Sequence, residues 1–144
     1  MSLAQYARSV LLSSPYISVS PFDLHIEFVG AKPTEYSINA EPTGVVKKRY
    51  LNGDTRRAFT FSLTLRTDTF TDSDRAAVGD GYEKLALWLE RQSRSRKLPP
   101  MSDGATPMQL TAIGGHFLME RAADFNSELY TMQFELTYYQ KMED

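Results

Sequence analysis

Two runs of strict alternation constrain this chain more than anything else in it. After Ala58, the residues Phe59, Phe61, Leu63 and Leu65 alternate with Thr60, Ser62, Thr64 and Arg66. Near the end, Tyr130, Met132, Phe134, Leu136 and Tyr138 alternate with Thr131, Gln133, Glu135, Thr137 and Tyr139. Successive side chains of a strand point to opposite faces, so a period of two with one apolar set means a sheet with one face on a core. The odd residues of the first run are expected to face that core, and the even ones to face water or a partner. Such a sheet needs a cover. The strong helical stripe is Val78, Tyr82, Leu85 and Leu89 with Trp88 or Ala86, in a helix expected over 73–96. Thr71-Asp72-Ser73-Asp74 supplies capping residues. Gly79 and Gly81 weaken its first half, so regular helix is expected from about Asp80. Arg91, Arg94, Arg96 and Lys97 sit where positive charge suits the helix dipole.

The remaining segments fill in an α+β fold, mainly an antiparallel sheet with one long helix on one face and a short N-terminal helix. Residues 2–13 read as that short helix. Ser2 caps it, Leu3, Tyr6, Ala7 and Val10 share a face, and Pro15 stops it. Phe22, Leu24, Ile26 and Phe28 alternate with Asp23, His25, Glu27 and Val29 in a further strand that Gly30 and Pro33 end. Residues 35–40 and 45–51 are extended, with a turn at 41–44, and Asn52-Gly53 is a hairpin signal. Pro99, Pro100, Gly104 and Pro107 make 98–107 an exposed loop. Together with 41–57 it is expected to extend from the core and to order on docking. Met108–Ile113 and Phe117–Arg121 are short strands around Gly114-Gly115, and 124–127 turns into the last strand. Leu85, Trp88 and Leu89 are expected to be buried beside Phe59, Phe61, Leu63, Phe134 and Leu136.

The chain has 144 residues, the size of one domain, and 1–144 is read as one. At 42% apolar and 24% charged residues its composition is globular. A net charge of −2 lacks the basic excess of a free-standing nucleic-acid binder. Without cysteine there is no disulfide, thiolate zinc site or cysteine nucleophile. Val10-Leu11-Leu12 is too short for a signal h-region, and no run of 18 apolar residues occurs.

His25 shares a strand face with Asp23 and Glu27, a possible metal set, but no second histidine is near in sequence. His116 follows Gly114-Gly115 and could serve a small hydrolase, yet no Gly-x-Ser-x-Gly elbow occurs. Asp68, Asp72, Asp74, Asp80 and Glu83 cluster around a helix start, where acids suit the cap and dipole. No phosphate-binding glycine motif is present. No catalytic, metal or cofactor residue is therefore assigned. Lys47-Lys48-Arg49 and Arg56-Arg57 flank the Asn52-Gly53 turn, with Tyr50 and Phe59 close by. That basic hairpin could grip single-stranded nucleic acid, discourage edge pairing, or meet acidic groups on a neighbouring subunit. Tyr36, Tyr50 and Tyr139 lie in extended pieces or on the outer side, and tyrosine is enriched at interfaces.

Several of these stretches carry a resemblance. Tyr36-Ser37-Ile38, Val46-Lys47-Lys48-x-Tyr50 with Gly53, Arg57 and Phe59-Thr60-Phe61 are followed by Tyr82-Glu83-Lys84-Leu85, Trp88-Leu89, Gly114-Gly115 and Tyr138-Tyr139-Gln140. Over about residues 35–140 this order resembles small head–tail proteins of long-tailed bacteriophages and prophages, called minor capsid or tail-completion proteins and similar to tail terminators. The resemblance implies structural work in a virion tail after assembly in the bacterial cytoplasm, with no enzyme activity, no cofactor and no small-molecule substrate. It also implies a homo-oligomeric ring, six subunits in the assembled tail, that caps the tail tube protein and offers a surface to the head–tail connector. A tube or connector subunit is the alternative within the same class. The ring contact is expected between the basic hairpin, Lys47, Lys48, Arg49, Arg56 and Arg57, and the acidic stretch with Asp68, Asp72 and Asp74. Tyr139 is the aromatic candidate beside them.

Overall fold

In chain order the elements are α1 (Leu3–Leu12), β1 (Leu24–Ile26), β2 (Glu35–Ala40), β3 (Val46–Arg49), β4 (Thr55–Thr67), α2 (Asp72–Arg94), β5 (Ala105–Ala112), β6 (Phe117–Ala122) and β7 (Ser127–Gln140). They come from a computed structural model that describes residues 2–17, 24–26, 35–41, 46–67, 72–122 and 127–142. The two alternating runs are β4 and β7, of 13 and 14 residues. They pair antiparallel along their whole length, Thr55 opposite Gln140 and Thr67 opposite Glu128. The sheet has seven strands in the order β1-β2-β4-β7-β5, with β3 beside β4 and β6 beside β7. All pairings are antiparallel except β1 with β2, which run parallel. The class is thus α+β. The predicted strand at 22–29 is described only at Leu24–Ile26, and its other residues lie outside the described ones.

The apolar face forms as the alternation requires. Phe61 faces Phe134 across the β4–β7 ladder, their rings 5.7 Å apart, and Leu63 stands opposite Met132. Both phenylalanines, Leu63 and Leu136 are fully buried, as are Leu89 of α2, Leu110 of β5 and Val10 and Leu11 of α1. Each such side chain contributes roughly 1.5–3 kcal/mol through removal from water. Leu85 and Leu89 occupy the predicted core, whereas Trp88 and Phe59 are only half-buried at its margin.

Two expectations about faces change. Thr60, Ser62 and Thr64 of β4 are buried, not open to water. They are short side chains on a central strand, fenced by neighbours on either side. Thr64 Oγ1 donates to Thr131 Oγ1 at 3.3 Å, and Ser62 Oγ to the Asn39 carbonyl at 3.5 Å. Tyr36, expected outside, stands opposite Leu65 and packs against the core.

Helix α2 begins at Asp72 and runs through both glycines, so its regular part does not wait for Asp80. Gly79 is buried against His116: a Cβ there would lie 2.8 Å from Nε2 of that ring. The residue's helix cost of about 1 kcal/mol is the cost of this close approach. Tyr82 projects from the helix into the sheet, where its hydroxyl is shared between the carbonyls of Leu63 and Tyr130, 2.9 and 3.2 Å away. The helix ends by the 96→93 and 97→92 backbone bonds, with Arg96 in the left-handed region at φ 56°. Helix α1 carries a capping box. Ser2 Oγ accepts from Gln5 N at 3.1 Å, and Gln5 Oε1 from Ser2 N at 2.8 Å.

The segment expected as a free loop at 98–107 is shorter and tethered. Strand β5 already starts at Ala105, Leu98 and Met101 pack on the core, and Tyr6 Oη donates to the Pro99 carbonyl at 2.7 Å. Burial pushes the Tyr6 phenol up to about 12. Strand β3, by contrast, is open, and its four residues are all exposed.

Candidate subunit interface

The basic hairpin consists of β3, the loop Tyr50–Asp54 and the first residues of β4. Its loop closes by Tyr50 N to Asp54 O at 2.9 Å and Gly53 N to Tyr50 O at 3.0 Å. Gly53 has φ 93°, a conformation that any Cβ would strain. In the ladder Val46 opposes Arg57 and Lys48 opposes Arg56, so Lys47 is an inserted residue, a bulge. A bulge sets two residues of one strand against a single residue of the other and turns the local side chains. Its effect here is to gather charge. Lys47 Nζ lies 4.0 Å from Glu135 Oε2 on the outer face, and Lys47 and Arg56 line one groove with Met108, Gln109, Glu135 and Thr137. Lys48 stands over the Tyr50 ring, 5.3 Å from its centroid. At an exposed site such a contact contributes about 0.5–1 kcal/mol.

The proposed basic set therefore divides. Lys47, Lys48 and Arg56 share the outer face with Tyr139, which stands opposite Arg56. Arg49 opposes Thr55, and Arg57 donates from Nε to Thr55 Oγ1 at 2.9 Å, which turns both toward the other side.

Tyr139 joins the hairpin to the C-terminal strand. Its ring lies 5.5 Å from that of Tyr50, and its hydroxyl donates to Asp54 Oδ2. Asp54 also accepts from Asn52 Nδ2 at 3.1 Å and, through Oδ1, from the Met142 amide at 2.9 Å. The Met142 amide, then Tyr139, hold the Asp54 carboxyl below its ordinary range, and the same carboxylate raises the Tyr139 phenol. The hairpin tip is thus pinned rather than free, contrary to the expectation for 41–57. Asp54 and Glu135 are the members of this surface that sequence reasoning missed. An aspartate after Asn-Gly reads as a turn residue, and no local pattern gives its long-range partner.

The acidic candidates lie elsewhere. Asp68 is outside the described residues. Asp72 is the first residue of α2, and Asp74 is exposed and borders a cleft with Tyr16, Tyr36, Leu65 and Thr67. That cleft is at the Thr67 end of β4, while the hairpin is at the Thr55 end. Across 13 strand residues the separation is roughly 40 Å. Arg75, next along the helix, binds the buried Glu128 through Nε at 3.0 Å.

His116 is taken up by packing, its ring stacked on Tyr82 at 5.8 Å and set against Gly79. His25 lies in β1 opposite Ser37, while Asp23 and Glu27 are outside the described residues. Among the described residues no group of three or more His, Asp and Glu is placed to hold a metal ion, and no helix is long and apolar enough to cross a membrane.

No family model matches the chain, and no curated protein matches it. Among solved structures, a chain of a virion of a native gene transfer agent particle is similar at 10% identity and a TM-score of 0.49, over 94% of this chain and 95% of that one.

Proposed function

We propose that this chain is a structural virion protein of a long-tailed phage or prophage, a ring-forming subunit of the head–tail interface that acts as a tail terminator. The observation that carries this reading is the placement of opposite charge. Lys47, Lys48 and Arg56 lie at one end of β4, and Asp72 and Asp74 open the helix at the other, too far apart to meet within one subunit. A closed ring needs one patch that meets a different patch on the next copy, and opposite charge sets its register. The sequence resemblance supplies the kind of ring, one that caps a tail tube and faces a head connector. The role is mechanical, and no residue is assigned to catalysis or to a cofactor.

Charge exchange tests it. One variant carries Lys47→Glu, Lys48→Glu and Arg56→Glu, a second Asp72→Lys and Asp74→Lys. Each alone is expected to leave growing tails unterminated. Mixed, they present like-signed ends of opposite sign and alternate around an even-numbered ring, so termination and head joining return. Tails of normal length with either variant alone would refute the interface. A wild-type protein that never associates with tails would refute the function.

A further inference from the structure

The two edges of the sheet are protected very differently. On one side β3 carries Lys47, Lys48 and Arg49, the charged dressing that discourages strands from adding to an open edge. On the other side β5 and β6 both pair with β7, which places them in line as one interrupted edge. Ile113 N bridges the interruption by donating to the Gln133 carbonyl at 3.0 Å. From Gly104 to Met119 this edge contains no Lys, Arg, Asp or Glu, in a chain that is 24% charged. It also exposes large apolar side chains: Met108 is 45% exposed, Ile113 49%, Phe117 54% and Leu118 42%. Phe117 stands opposite Thr131 and Leu118 opposite Tyr130, so the apolar groups project from both faces of the edge. Apolar side chains gathered along an open strand mark an interaction site rather than ordinary surface scatter.

We infer that the β5–β6 edge binds the same edge of a second copy of this chain, antiparallel, about a two-fold axis near Gly114-Gly115. Charge selects this occupant. The run from Gly104 to Met119 carries no charged residue, and Glu120 and Arg121, which follow it in β6, balance each other. This edge therefore meets itself without net repulsion, whereas β3 would bring consecutive cations to a run with no acid to receive them. A two-fold contact is self-complementary, and an axis at the glycine pair sets β5 of one copy against β6 of the other. Ile113 and Phe117 of the two copies then adjoin, and main-chain hydrogen bonds extend the sheet across the boundary. This inference concerns the free protein and does not rest on the tail reading.

The test is analytical ultracentrifugation of the purified protein over a concentration series, with amide hydrogen exchange of β5 and β6. The expected result is a monomer–dimer equilibrium with β5 and β6 amides that gain protection as the dimer forms. Phe117→Lys, or Ile113→Lys should the first variant fail to fold, is expected to weaken the dimer by about tenfold or more, which corresponds to about 1.4 kcal/mol. Lys48→Glu is expected to leave it unchanged. A protein that stays monomeric at every soluble concentration would overturn the inference. So would an association that Lys48→Glu abolishes while Phe117→Lys and Ile113→Lys leave it intact.

Discussion

The carboxylate of Asp54 gathers the Tyr139 hydroxyl, the Asn52 amide and the Met142 backbone, and so fastens the hairpin tip to the end of β7. Its lowered pKa means that the fastening is complete above the ordinary carboxylate range and is lost as pH falls through the folded-state value. Tyr139 works in the opposite sense. Its raised pKa keeps the donor proton in place below the ordinary phenol range, and the contribution is lost as pH rises through the folded value. The Met142 amide should therefore be protected from hydrogen exchange between these limits and lose protection beyond each. An Asp54→Asn variant should abolish the acid limb of that profile, and a profile equal to wild type would refute the account. Deeper in the molecule, Glu128 is buried with Arg75 Nε at 3.0 Å and the Tyr130 hydroxyl at 3.2 Å from its carboxylate. Arg75→Ala removes a cation from a buried carboxylate and should cost about 3 kcal/mol in urea unfolding. A loss under about 0.5 kcal/mol, typical of a surface change, would contradict this. Neither feature was legible in the sequence. An acid at an inward position breaks the apolar alternation, so the strand reads as if it began at Tyr130. The cation that pairs with Glu128 lies 53 residues away, beyond the reach of any local pattern.

Helix α2 shows how far periodicity reaches. The stripe gave its buried face, because Tyr82, Leu85 and Leu89 are all buried there. It did not give the helix start, because the reason for Gly79 is a histidine in the distant connection between β5 and β6. The long strands were legible for the same reason as the stripe: a half-buried element writes its period into its residues. Pairing is not written that way. The parallel contact of β1 with β2 and the bulge at Lys47 depend on which strand lies alongside, which no local pattern records. The candidate interface was accordingly legible as a run of cations but not as a surface, since the bulge decides which of them point together. The two leucines of α2 separate the helix's roles. Leu89→Ala should cost about 2–5 kcal/mol by opening a cavity in the core. Leu87, 56% exposed on the opposite side, should change by less than about 0.5 kcal/mol on the same substitution. Equal losses in chemical denaturation would show that the helix is seated differently.

Across the whole molecule, β7 is the strand on which the sheet converges: β4 pairs along one side of it, β5 and β6 along the other. Strand order of this kind is invisible to local periodicity, because β4 and β7 lie far apart in the chain. A chain that stops before Ser127 should show no cooperative thermal transition and should aggregate, and a cooperative transition in that fragment would refute the dependence on β7. The arrangement bears on how the protein is made. Synthesis runs from the N-terminus, so β4 leaves the ribosome well before β7, and β5 and β6 precede it by a shorter interval. Until β7 emerges, the long apolar strand β4 has one side unclaimed and β5 and β6 have no strand to join. The nascent polypeptide exposes that apolar strand to whatever it meets, and the pace of translation from β4 through β7 sets how long the exposure lasts.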